Sequence, residues 1–393
     1  MTSTSSLDVH ITGWSHSRFG KLASTLEELV VDATREALAS AEIEPLEVDA
    51  IYYSQYNAGM HPVTFGAPLT LLASDELWGT PSTRVENACA SGSAAIQQGI
   101  MALRAGVARN VLVIGVEKMS GASAELVRTG LIGADYEMAG TSYPTGFAGR
   151  FALVAEEYSR RFGDCSDTLA RIAAKSHQNA LANPYAHLRK DYDEAFCGTV
   201  SAANPLVAGP LRRTDCSPVS DGAAALVLCA GPVGPRAGHG TVEIVGTGHA
   251  TDHYPANKRD PIAFAAGASA WRRALDMARI GLDDLSFMEI HDCFTIAELV
   301  LYETLGLAPA GKGSTVLDAG TVYRDGALPV NPSGGLKSKG HPVGATGVSQ
   351  HVLAAMQLTG TAGELQVPDA RYGAVHNMGG LAVANYVSVL RAS

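Results

Sequence analysis

The sequence predicts an α/β fold assembled from two similar halves, with the chemistry-bearing side chains on turns between elements. Three observations lead there. Apolar runs at 110–116 (NVLVIGV) and 223–228 (AAALVL) have the composition of strands buried on both faces. Stretches with helical apolar spacing alternate with such runs, as layered α/β domains require. One helix also recurs: residues 33–43 and 270–280 align without a gap, 237 positions apart, and share Ala33, Arg35, Ala37, Leu38, Ala41 and Ile43, six identities in eleven.

Each copy of that helix leads through an acidic turn into a strand, 48–54 in the first half and 285–290 in the second. The first half continues with the turn V-E-N-A-C-A-S-G-S-A-A (85–95), a helix over 96–105 and the strand 110–116. From about 120 to 215 the alternation breaks. Two helical stretches, 151–162 and 168–182, precede turn-rich Asn183-Pro184-Tyr185. This segment reads as an insertion over the functional site. The strand 223–228 closes the first half. The second half delivers its own Gly-rich turn, G-H-P-V-G-A-T-G (340–347), and a helix over 348–358. The expected division is an N-terminal half (1–119 with 216–240), an inserted region (120–215) and a C-terminal half (241–393).

Composition removes several function classes. At 393 residues and 46% hydrophobic, the chain is long and apolar enough for one or two substantial cores. A net charge of −10 argues against nucleic acid, whose phosphates call for a basic surface. Six scattered cysteines without C-x-x-C spacing predict neither a metal site nor a disulfide framework. No apolar stretch approaches a membrane span. The first eight residues lack the basic and apolar regions of an export signal, which makes the cytoplasm the expected compartment.

Cys89 stands among Ala88, Ala90, Ser91 and Gly92 and is followed by a helix. Small neighbours leave room for an acyl group, and the positive end of a helix dipole favours thiolate over thiol. His341 occupies the second Gly-rich turn. Imidazole is the side chain that trades a proton with a thiol near neutral pH. A cysteine and a histidine, each at a Gly-rich helix start, have the logic of an activated nucleophile.

The N-A-C-A-S-G-S-A-A and G-H-P-V-G-A-T-G segments resemble the nucleophile and histidine motifs of the thiolase superfamily. Glu289-Ile290-His291-Asp292-Cys293-Phe294 resembles the H-D-C-F motif of its sterol-carrier-protein type, where most thiolases have N-E-A-F. The resemblance runs end to end with the motifs in family order. It implies the thiolase fold, two halves in a five-layered α/β/α/β/α sandwich. It also implies cleavage of 3-ketoacyl-CoA, or the reverse Claisen condensation, through an acyl-enzyme on Cys89 with His341 as its base. Coenzyme A enters as substrate, and no metal or redox cofactor is implied. Family membership further implies a homodimer or tetramer.

One departure matters. The family's C-terminal C-x-G-x-G is replaced by a stretch that places His376 at the cysteine and Met378 at the first glycine, beside Gly379. The resemblance then implies that Cys293 takes over proton transfer and that His291 takes the place of the asparagine that orients a water at the enolate. The Met378 N–H would join that of Cys89 at the oxyanion, with His376 and Gly379 as further candidates for the site. The other cysteines (Cys165, Cys197, Cys216 and Cys229) are expected to be structural. Arg212-Arg213 and Lys258-Arg259 are the candidate basic pairs for coenzyme A. Two alternatives stay open: an acyltransferase or carbon–carbon lyase that needs a small accessory protein, and a non-catalytic acyl-CoA or lipid-binding paralogue.

Overall fold

A computed structural model describes residues 8–231 and 240–393. The expectation about an export signal therefore rests on residues 1–7, outside the described ones, and the junction between halves falls partly on 232–239, likewise outside them. The first half runs β1 (Val9–His16), α1 (Leu26–Ala41), β2 (Ala50–Ser54), β3 (Ser82–Val85), α2 (Ser91–Arg104) and β4 (Asn110–Glu117). Then come α3 (Ala124–Ile132), α4 (Gly146–Phe162), α5 (Ser166–Leu181) and α6 (Glu194–Gly198). The hairpin β5 (Leu206–Ala208) and β6 (Leu211–Arg212) follows, and then β7 (Gly222–Ala230). The second half holds β8 (Val242–Thr251), α7 (Ala265–Ala278), β9 (Phe287–Glu289), α8 (Thr295–Thr304) and α9 (Ser314–Asp318). It ends with a π-helical turn (Gly335–Lys339), α10 (Thr346–Leu358), β10 (Tyr372–Gly379) and β11 (Ala384–Ala392).

Nine strands form the order β3-β2-β4-β7-β1-β8-β11-β10-β9. Among the described residues the two half-sheets meet where β1 pairs antiparallel with β8, at His10–Glu243 and Ile11–Val242. Helix α1 covers the outer face of β1, β7 and β4, and α7 covers β8 and β11. Between the half-sheets lie α2, against β2 and β4, and α10, against β7 and β10. That is the five-layered α/β/α/β/α arrangement. Among the described residues no helix is long and apolar enough to cross a membrane.

The sequence repeat is a structural one, down to its termination. Helix α1 ends on Glu42 and α7 on Arg279, aligned positions that both turn left-handed, at φ 50° and 57°. The Glu42 N–H bonds the carbonyls of Leu38 and Ala39, and the Arg279 N–H bonds those of Leu275 and Asp276, the equivalent residues. Left-handed caps on residues other than glycine are uncommon, so their recurrence at matched positions is not propensity at work. Helix α2 begins at Ser91 rather than at 96. Its first turn is small because α10 leans on it: a Cβ on Gly92 would lie 2.7 Å from the Val348 nitrogen, and one on Gly347 2.3 Å from the Ser93 nitrogen.

Buried histidines make the fold acid-sensitive. Burial holds His16, His177 and His341 down at about 3, His351 and His376 at about 4, and His291 well below its ordinary value. Unfolded, each titrates near 6.5, so their contribution is present above that pH and is lost as pH falls toward the folded values. Three buried carboxyl groups oppose this. Burial lifts Glu117 to about 7 and Asp292 to about 8 and raises Glu289, so their contribution grows as pH falls. Six groups against three leave a net loss on the order of 2 kcal/mol between about pH 6.5 and 5.5. Thermal unfolding at those two pH values checks this; an unchanged or higher Tm at the lower pH contradicts it.

Candidate active site

The N-termini of α2 and α10 face each other across the middle layer, and the turns ahead of them carry Cys89 and His341. The Cys89 turn is braced from both sides. Ala88 is left-handed (φ 49°), the Ser91 hydroxyl donates to the Ala88 carbonyl, and the Asn87 N–H donates to Ser91 Oγ at 2.8 Å. The His341 turn is held by Glu117 at the end of β4. Its carboxylate accepts the Gly344 N–H at 2.9 Å and the Tyr56 and Asn57 N–H groups at 3.0 Å.

The hydrogen bonds dictate the ring tautomers. His341 Nδ1 lies 2.6 Å from Thr346 Oγ1, whose own hydroxyl donates to the Pro342 carbonyl at 2.9 Å. Thr346 oxygen therefore accepts from Nδ1–H, and Nε2 keeps a free lone pair. His291 Nδ1 accepts from Asn377 Nδ2 at 2.9 Å, which leaves Nε2–H as a buried donor without a partner. The same Asn377 amide donates to the Cys89 carbonyl at 3.0 Å, so one side chain fixes the nucleophile and the second histidine together. The two imidazoles stand edge to face, 5.2 Å between centroids. The Cys89 sulfur and one ring nitrogen from each of His291 and His341 all lie within 4.8 Å of one another.

The thiolate expectation does not hold in this state. Burial, then the Glu117 carboxylate, pushes the Cys89 thiol up to about 12, against the opposing pull of the backbone N–H groups of Gly380 and of Cys89 itself. Burial, then the Lys339 ammonium, holds His341 neutral. The resting pair is thus thiol and imidazole. His341 Nε2 is ready to take the proton as the sulfur attacks.

Cys89 and His341 open into a cavity of about 560 Å³ that Cys293 also lines. Its walls are largely apolar, from Met119, Val127, Leu131, Phe147, Phe294 and Val343, and its cations are Lys21 and Arg128. Cys216, expected to be structural, lines it as well. None of the six cysteines is in a disulfide. Burial raises Cys293 well above the usual thiol range, so it stays protonated and able to donate.

Other expected residues fall elsewhere. Met378 is buried in the C-terminal core, and the N–H aimed at the Cys89 sulfur is that of Gly380. Gly379 presses on the nucleophile turn, where a Cβ would meet the Asn87 carbonyl at 2.4 Å. His376 is fully buried beside His291, with Nε2 3.3 Å from Asn385 Oδ1, and is not on the cavity wall. Arg212 is not available to a coenzyme: it is buried and paired with Asp215 at 2.8 Å.

Asp292 was legible only as part of H-D-C-F. It is buried, accepts the Leu336 N–H at 2.6 Å and organises the π-helical turn that leads to His341. Gly335 is left-handed there (φ 60°), and a Cβ on it would meet Asp292 Oδ2 at 2.1 Å.

Known proteins resemble this chain over nearly its whole length. The family described as "Thiolase, N-terminal domain" matches residues 9–231, and that described as "Thiolase C-terminal domain-like" matches 248–392. An "Acetyl-CoA acetyltransferase" of Methanothermobacter thermautotrophicus is 34% identical over 377 residues, 95% of this chain and 96% of that protein. "Sterol carrier protein 2" of Oryctolagus cuniculus is 32% identical over 90% of this chain, which spans 65% of that protein's length. Among solved structures, "Ltp2-ChsH2(DUF35) aldolase" superposes with a TM-score of 0.80 at 19% identity, covering 98% of both chains. The acetyl-CoA acetyltransferase of Syntrophomonas wolfei superposes with a TM-score of 0.73 at 17% identity, covering 98% of this chain and 99% of that one. At such identities the structures speak for the fold alone.

Proposed function

The chain belongs to the thiolase family and is a thiolase-type acyltransferase, and from that premise we propose that it cleaves or forms 3-ketoacyl-CoA through an acyl-enzyme on Cys89. One observation carries this reading: the Cys89 sulfur and one ring nitrogen each of His341 and the buried His291 lie within 4.8 Å of one another, and Cys89 and His341 open into one apolar cavity.

In the degradative direction His341 Nε2 takes the Cys89 proton while the sulfur attacks the 3-keto carbon. The Gly380 and Cys89 N–H groups, which face the sulfur, are placed for the oxygen that develops beside it, and such a donor is worth about 3 kcal/mol. The bond between C2 and C3 then breaks, leaving the acyl group on sulfur and the enolate of acetyl-CoA. His291 Nε2–H is the donor for the enolate oxygen, and the Cys293 thiol protonates C2. Incoming CoA–SH returns a proton to the Cys293 sulfur, its thiolate attacks the acyl-enzyme, and Cys89 leaves with the proton held on His341. Lys21 is the cation available to the coenzyme phosphates, joined by Arg128 once it exchanges its surface pair with Glu125 for a phosphate. Coenzyme A is substrate throughout, and no step calls on a metal or redox group. Cysteines without disulfides suit a reducing compartment such as the cytoplasm.

The test is CoA-dependent thiolysis of 3-ketoacyl-CoAs of graded chain length by the purified chain alone. Cleavage supports the proposal. Its absence at every length, from folded protein, transfers support to an acyltransferase or lyase that needs an accessory protein. The superposed Ltp2-ChsH2(DUF35) aldolase, whose name joins it to a DUF35 component, is a precedent for that arrangement. A non-catalytic binding role is the weakest reading, because nothing in acyl binding alone calls for a thiol and a free imidazole nitrogen at this spacing.

We also propose a homodimer, or a tetramer built from it. β3 is an edge strand, and the segment packed beside it exposes Phe65 (77%), Leu72 (52%) and Trp78 (88%). Unpaired strand edges with apolar neighbours need a cover. Light scattering on the eluting protein should give at least twice the 40.8 kDa chain mass; the single-chain mass contradicts the proposal.

A further inference from the structure

We propose that Cys89, His291 and His341 form a binding site for a thiophilic divalent cation, Zn²⁺ in the first instance, whose occupancy switches acyl transfer off. The sequence argues against a metal because its cysteines lack zinc spacing, yet folding brings together ligands from positions 89, 291 and 341. One sulfur and two imidazole nitrogens are a donor set that zinc takes readily, and three protein ligands leave a fourth position open. Here that position faces the cavity, where water or the thiol of coenzyme A can fill it.

Two features beyond the donor types point to a metal. His341 is anchored through its Nδ1–H to Thr346, as an imidazole oriented for a cation through Nε2 is. His291 Nε2 is also fully buried without a hydrogen-bond partner. The ligand atoms lie within 4.8 Å of one another, while bonds of about 2.0–2.3 Å require tetrahedral edges of about 3.4–3.6 Å. Closing that gap takes at most about 1.4 Å, shared between the two side chains of a pair. His291 must carry its proton on Nδ1 for Nε2 to coordinate. The Asn377 Oδ1, buried and unpartnered, becomes the acceptor for that proton once the amide turns over, at the expense of its bond to the Cys89 carbonyl.

The step balances simply. Zn²⁺ replaces the proton on the Cys89 sulfur, the proton leaves to solvent, and both imidazoles bind neutral. No oxidant or reductant is involved. Binding consumes both the nucleophile's lone pair and the His341 lone pair, so the cation and acyl transfer exclude each other. Cation binding rests on side-chain placement alone, while the switch rests on the thiolase reading.

Calorimetry with zinc chloride on the whole chain, first stripped with EDTA, is the test. One equivalent should bind in wild type. Affinity should fall at least tenfold in both Cys89→Ala and His341→Ala, each checked for an unchanged circular dichroism spectrum. Titrations in buffers of different ionisation enthalpy should show about one proton released per zinc, lost in Cys89→Ala. Cobalt(II) in place of zinc should give a thiolate-to-metal charge-transfer band that disappears in the same variant. Absence of stoichiometric binding, or equal affinity in wild type and both variants, overturns the proposal. Thiolysis in EDTA is a separate readout. Activity there without zinc binding removes this inference alone, whereas zinc binding without thiolysis removes the thiolase reading alone.

Discussion

Cys89→Ala is expected to lower thiolysis by at least ~10⁴-fold, the scale of losing a covalent nucleophile whose partner base then has nothing to activate. It should also abolish the mass adduct that wild-type protein gains on incubation with an acyl-CoA. The variant should fold normally. The turn is held by Ser91, Ala88 and Asn87, and Asn377 binds the backbone carbonyl of Cys89 rather than its sulfur. Intact-mass spectrometry with and without the acyl donor reads the adduct directly. An adduct that persists at full yield in the variant would put the acyl group elsewhere and end the Cys89 mechanism.

Parts of this site were visible in the chain. The recurrent helix reported a duplicated α/β architecture, and its left-handed caps at Glu42 and Arg279 show that duplication in three dimensions. Cys89 and His341 stood out because each sits in a run of residues too small to build a core. The small residues also serve a purpose hidden in one dimension, the contact of α2 with α10 through Gly92 and Gly347. The partners of the catalytic pair were hidden too. Thr346 looks like any helix-start threonine, Asn377 like any strand asparagine, and only folding shows what each one holds.

The thiolate expectation failed on magnitude. A helix terminus is worth about 0.3–1 kcal/mol to an adjacent charge. Raising the thiol from 9.0 to about 12 corresponds to roughly 4 kcal/mol, and burial is its largest cause. A sequence shows the helix start but not the depth of the sulfur, so the weaker effect was the one in view. The Met378 assignment failed differently. Counting along a motif presumes that the backbone keeps step, and here β10 carries Met378 into the core before the chain turns Gly380 toward the sulfur.

Cys293→Ala should separate the two halves of the reaction. If Cys293 handles the proton on C2, its removal leaves acyl transfer to Cys89 from a simple acyl-CoA nearly intact, because that step breaks only a thioester. Carbon–carbon cleavage needs a proton at C2 and should fall about 10²–10⁴-fold, the usual worth of a positioned acid or base. Exchange of the methyl protons of acetyl-CoA into D₂O, which tests removal of that proton without any bond to C3, should be lost with it. A residue that only supported the cavity wall would lower loading and cleavage together. His376, the group at the family's cysteine position, is buried behind His291 and off the cavity wall, so His376→Ala should spare exchange more than Cys293→Ala does. Wild-type rates of exchange and cleavage in Cys293→Ala would refute the assignment. The proton would then have to travel through a different side chain of the same cavity, and Cys216, the other thiol on its wall, would be the next to replace.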